Sequence, residues 1–90
     1  MILCPVIGIR DQEAIRSFGI SIRQKRLLKG FSQEELAHRC EIDSRQIGRI
    51  ERGEINTTIS TVFALARALE LTVANLFDFS LPAARGGDLT

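Results

Sequence analysis

Apolar residues recur along this chain at spacings of three and four, the period that lays one stripe of a helix against a core. The first stripe is Ile15, Phe18, Ile22 and Arg26, within a predicted helix from Asp11 to Lys29. Asp11 suits the N-cap and Gly30 the stop beyond the last turn. Gly19 weakens the middle of this helix by about 1 kcal/mol against alanine, which leaves Asp11–Ser17 open to being a separate turn. A second helix, Gln33–Cys40, has the clearest start, because Ser32 followed by Glu35 forms a capping box. Phe31 and Leu36 then stand where a hydrophobic staple belongs. Asp43 with Gln46 repeats the cap signature and opens a third helix that ends at Gly53. Thr58 caps a fourth, Ile59–Glu70, expected to bury Ile59, Val62, Phe63, Ala66 and Leu69, and Thr72 caps a short fifth, Val73 to Phe77. The prolines, Pro5 and Pro82, stand outside all five.

The second and third helices, separated by three residues, have the helix-turn-helix arrangement. Counting from Gln33, small Ala37 takes the fifth position, where two helices cross closely. Ile47 and Ile50 take the fifteenth and eighteenth, on the inward stripe of the third helix, and Leu36 faces them from the second. The chain is therefore expected to be all-α, a compact bundle of five helices. Its organisation reads as an apolar segment over 1–10, a helical domain over 11–79 and a flexible tail over 80–90 with Gly86-Gly87.

Charge changes this picture only locally. The net charge is +1, little for a chain that meets nucleic acid, but from Arg16 to Arg52 nine positive residues outnumber five negative ones. Composition excludes more than it assigns. Cys4, Cys40 and the single His38 stand at no zinc-ligand spacing, so no metal or other cofactor is expected. Cys40 suits a small buried hydrophobe and His38 a solvent-facing position. There is no phosphate-binding glycine loop and no paired nucleophile and base, which argues against an enzyme. Met1–Ile9 is apolar but lacks a basic flank and is too short to span a bilayer. No membrane association is expected, and a reducing cytoplasm is the expected location. The same segment is a candidate strand or dimer contact.

Three stretches carry a family likeness: IRQKRLLKGFSQEELAHR from Ile22 to Arg39, QIGRIERGEINTTIS from Gln46 to Ser60, and LARALELTVANLFDF from Leu65 to Phe79. Over Phe18 to Phe79 the chain resembles the phage repressor and Cro family of helix-turn-helix proteins, the XRE family. The resemblance implies the lambda-repressor-like fold, double-stranded DNA as partner, a homodimer on a pseudo-palindromic operator, and transcriptional control, as a repressor or autoregulator. It places Ser44, Arg45 and Arg49 at base-reading positions. An arginine fork matches guanine O6 and N7 in the major groove, worth roughly 1–3 kcal/mol of discrimination each. Gln33, Arg52, Asn56 and Thr57, with Arg23 on the first helix, fall where the family contacts phosphates, assisted at Gln33 by the helix N-terminus.

Arg26 and Glu51 match a partly buried ion pair joining the first and third helices, in which losing one partner costs more than losing both. Leu71, Val73, Leu76, Phe77 and Phe79, with Leu81 beyond them, supply candidate dimer contacts. Two departures stand out. Glu41 occupies a turn that in the family carries a left-handed glycine, at a cost of about 1 kcal/mol. Gly48 offers the groove no side chain, either letting DNA approach the backbone or weakening the helix. A second reading is a protein-interaction module, antitoxin-like or polymerase-contacting, which affinity for mixed DNA at low salt would distinguish.

Overall fold

The structure, a computed structural model, describes residues 10–80. The expectations for Met1–Ile9, Cys4 and Leu81 and for the tail lie outside those residues. Five helices follow in order: α1 (Gln12–Lys29), α2 (Gln33–Cys40), α3 (Ser44–Glu51), α4 (Ile59–Leu69) and α5 (Val73–Leu76). No strand is found among the described residues, and none of their helices is long and apolar enough to cross a membrane.

Every helix begins on a side-chain cap. The Asp11 carboxylate accepts from Ala14 N–H at 3.1 Å, and Ser32 Oγ accepts from Glu35 N–H at 3.0 Å. Asp43 takes Arg45 N–H at 2.9 Å, while Thr58 and Thr72 take Thr61 and Asn75 N–H. The return half of the expected capping box is replaced. Glu35 turns its carboxylate to Arg39, one turn along α2, at 3.2 Å.

Four helix ends close alike. Gly30, Glu41, Gly53 and Glu70 all adopt left-handed backbone, with φ of 78°, 61°, 73° and 59°. The next residue donates back across the last turn: Phe31 to Arg26, Ile42 to Ala37, Glu54 to Arg49 and Leu71 to Ala66, at 2.9–3.1 Å. Phe31, Ile42 and Leu71 pack on the core, as this closure favours. Glu54 does not.

The core joins Phe18 and Ile22 of α1, Leu36 and Ala37 of α2, Ile47 and Ile50 of α3, Leu65 and Leu69 of α4, and Leu76 of α5. Cys40 lies at its edge, and burial pushes its thiol pKa up. One alternative left open by the sequence is decided here, and two sequence expectations are corrected. First, α1 is continuous, because Gly19 sits where α1 crosses α3: a Cβ built on it falls 2.2 Å from the Ile50 carbonyl oxygen. Absence of a side chain permits the contact, and the packing outweighs the loss of helix propensity. Second, Ile59 and Phe63 are not core residues; they are 72% and 46% exposed, and Leu65 takes the buried position. The buried stripe of α4 is Val62, Leu65, Ala66 and Leu69, which places both residues on its outer face. Third, Leu76 is 0% exposed within this single chain, so it completes the core and is not available to a second subunit. Helix ends also shift slightly: α3 stops at Glu51, α4 at Leu69 and α5 at Leu76.

Replacing Gly19 with alanine is expected to destabilise the fold by about 3 kcal/mol, where an unhindered helical site would gain about 1 kcal/mol. Urea unfolding of the two proteins gives the sign directly. Glu41→Gly is expected to stabilise by up to about 1 kcal/mol in the same assay, since it relieves a left-handed glutamate.

Candidate nucleic-acid interface

The outer side of α3 is held in place from both flanks. At its C-terminal end, the Glu51 carboxylate is buried and receives three donors. Arg26 Nε and Nη2 reach its two oxygens at 2.6 and 3.0 Å, and Gln33 Nε2 reaches Oε1 at 3.0 Å. Arg26 also donates to the Phe31 carbonyl at 2.8 Å. Its guanidinium pKa is raised chiefly by the hydrogen bond to Glu51, against the opposing effect of burial. One carboxylate thereby ties α1, the start of α2 and the end of α3. The start of α1 is fastened to the turn after α3 as well: Gln12 Nε2 donates to the Gly53 carbonyl at 2.9 Å, and Arg10 to the Glu54 carbonyl at 3.0 Å.

Against this frame, Gln33, Ser44, Arg45, Arg49 and Arg52 line one shallow hollow of about 320 Å³, together with Glu34 and Gly48. Five of the residues singled out from sequence are thus brought onto one face. Three are not. Asn56 and Thr57 follow in the α3–α4 loop and Arg23 lies exposed on α1, all outside the lining of that hollow. Gly48 has a third explanation beyond the two weighed from sequence. A Cβ there would stand 3.1 Å from an Arg52 guanidinium nitrogen and 3.6 Å from Gln33 Oε1. Its missing side chain makes room for those two groups to close over α3.

The arginines are exposed but not unaccompanied. Arg45 Nη2 lies 3.3 Å from Asp43, whose carboxyl is held below its ordinary range first by the backbone N–H of Arg45 and then by its guanidinium. Arg52 Nε donates to Glu54 at 2.8 Å, and Arg49 Nε stands 3.9 Å from the same carboxylate. Glu54 is held below its ordinary range mainly by the Arg52 hydrogen bond. Sequence reasoning passed over Glu54; the available signal was an acidic residue directly after a left-handed glycine, between two arginines and a loop. Among the described residues no group of three or more His, Cys, Asp or Glu side chains is placed to hold a metal ion.

Residues 22–76 match the helix-turn-helix family HTH_3, and the chain belongs to that family. It is similar to the control protein C.BamHI of Bacillus amyloliquefaciens, 38% identical over 70% of this chain and 79% of that one. Similarity to the control protein C.SmaI of Serratia marcescens is 39% identity over 62% and 67% of the two chains. The crystal structure of the restriction-modification controller protein C.AhdI from Aeromonas hydrophila superposes with a TM-score of 0.69, at 36% identity, covering 70% of this chain and 96% of that one. The fold, the family and these relatives together define a DNA-binding transcriptional regulator.

Removing one member of the buried pair, by Arg26→Met or Glu51→Leu, is expected to cost about 3–5 kcal/mol. The double variant is expected to cost less than either single replacement, because no buried charge is then left alone. It does not return to wild type, because the Phe31 carbonyl and Gln33 also use the pair. A double-mutant cycle by chemical denaturation measures the coupling; strictly additive losses would refute it.

Proposed function

We propose that this protein represses or autoregulates transcription by binding a pseudo-palindromic operator as a homodimer, with α3 in the major groove. The carrying observation is the gathering of Ser44, Arg45 and Arg49 with Gln33 and Arg52 on one exposed face. Arg45 and Arg49 stand one helical turn apart, opposite the buried Ile47 and Ile50, and so can address neighbouring base pairs. Ser44 reaches a base edge or a phosphate at the start of the same helix. Gln33, Arg52, Asn56, Thr57 and Arg23 set the register through the phosphates. A single recognition helix touches few base pairs, which is the physical reason for two half-sites about 34 Å apart.

The dimer contact draws on Phe77, 45% exposed, with the half-buried Leu71, Val73 and Phe79 beside it. Phe77 stacks on Phe18 at 5.0 Å, so its outward face is held rigidly. The exposed Ile59 and Phe63 add apolar area on α4. The protein acts by binding rather than catalysis, in the cytoplasm. The names of its relatives, control proteins and restriction-modification controllers, support a role governing the genes of such a system.

Selection of bound duplexes from a random pool yields the operator. Arg45→Ala with Arg49→Ala is expected to lower operator affinity at least roughly a hundredfold, as the loss of two bidentate base contacts implies. Circular dichroism and the melting temperature should stay at their wild-type values. Operator binding undiminished in a folded double variant would overturn this reading. Light scattering at micromolar concentration checks the dimer.

A further inference from the structure

Glu54 departs from the rule followed at the three other helix closures. Each of those is followed by an apolar side chain packed on the core, Phe31, Ile42 or Leu71. After α3 the same place holds a carboxylate turned toward the arginines of the proposed DNA face. The next residue, Ile55, supplies the packing instead. Glu54 is also fixed in position. Its N–H donates to the Arg49 carbonyl at 2.9 Å, and its own carbonyl accepts from Arg10 at 3.0 Å. A backbone held at both groups presents the carboxylate in a defined direction. Its two oxygens meet Arg52 Nε and Nη2 at 2.8 and 3.5 Å, and Arg49 approaches at 3.9 Å.

We propose that Glu54 is a specificity-determining residue, holding Arg49 and Arg52 together in the DNA-free protein so that indiscriminate phosphate binding is disfavoured relative to operator reading. The inference rests on the DNA-reading role of α3 argued above. Binding to any duplex brings arginines to phosphate oxygens, and most of non-specific affinity comes from that term. An arginine already paired must leave its carboxylate to do so, and the carboxylate then faces a phosphate of its own sign. On the operator the balance differs. Arg49 exchanges a loose 3.9 Å contact for two hydrogen bonds to a guanine edge, a return that a lone phosphate does not offer. Glu54 therefore penalises the non-specific complex more than the specific one. Discrimination built by a repulsive element is a general route to specificity.

Glu54→Gln removes the charge and leaves the shape. Its side chain is about half exposed, so the variant is expected to fold with an unchanged melting temperature. Fluorescence anisotropy across a salt series would compare wild type and E54Q, as full chains, on the selected operator and on mixed-sequence duplex. On mixed duplex the affinity of E54Q should rise roughly threefold to tenfold, and its salt dependence should steepen by about one released counterion. On the operator the rise should stay below about twofold, so the specificity ratio falls. An equal rise on both duplexes, or no rise on either, overturns the proposal. Failure of the underlying reading is separate: wild-type protein would then show no preference for any duplex, or R45A/R49A would bind the operator as wild type does.

Discussion

A single buried carboxylate, Glu51, sets the orientation of the helix that carries the proposed DNA face. It stands at the last residue of α3 and accepts from Arg26 on α1 and from Gln33 at the start of α2. A buried carboxylate with one donor would be costly; with three, its desolvation is answered by charge-assisted hydrogen bonds. Its geometry then cannot vary without leaving a charge unpaired. The contact is close only because Gly19 lets α1 press against the carbonyls of Ile50 and Glu51. Glu51 and Gly19 are thus two parts of one constraint, which fixes where Arg45, Arg49 and Arg52 emerge.

Much of this architecture was legible in the chain, because its signals are local. Ser32, Asp43, Thr58 and Thr72 each announce a helix start, and a cap needs only the next three residues to act. The pairing of Ile47 and Ile50 with Leu36 and Ala37 could be read from period alone. What escaped depends on partners distant in sequence. Gly19 reads as a weak point until Ile50 is placed above it, more than thirty residues on. Ile59 and Phe63 fit a helical stripe as well as Leu65 does, and only the positions of α2 and α5 decide which side of α4 is covered. Leu76 looked available for the same reason, since nothing in its neighbourhood states that α1 and α4 close over it.

The candidate site divides along the same line. Helical spacing puts Arg45 and Arg49 one turn apart, and the family resemblance adds Ser44 and Arg52 to them, so the four could be grouped without coordinates. Gln33 was read for its place at a helix N-terminus, where a free amide meets a phosphate; in the structure that amide is already shared with Glu51. It joins α3 to the proposed phosphate-binding edge through one side chain. Gly48 makes sense only in this setting, as the space into which Gln33 and Arg52 fold.

The near-neutral net charge then becomes part of the chemistry rather than an objection to it. A strongly basic surface would hold DNA of any sequence through phosphate contacts alone. Here each exposed arginine of α3 and its following turn has a carboxylate within reach: Asp43 for Arg45, Glu54 for Arg49 and Arg52. Asp43 has a second duty as the cap of α3, so the residue that starts that helix also restrains its first arginine. Exposed pairs of this kind contribute little to folding, on the order of 0.2–1 kcal/mol each, and are easily exchanged. That weakness suits the purpose. On the proposed function, a pair strong enough to stabilise the fold would keep the arginines from DNA, whereas a weak one would yield readily to the two hydrogen bonds of a guanine edge and still weigh against a lone phosphate contact.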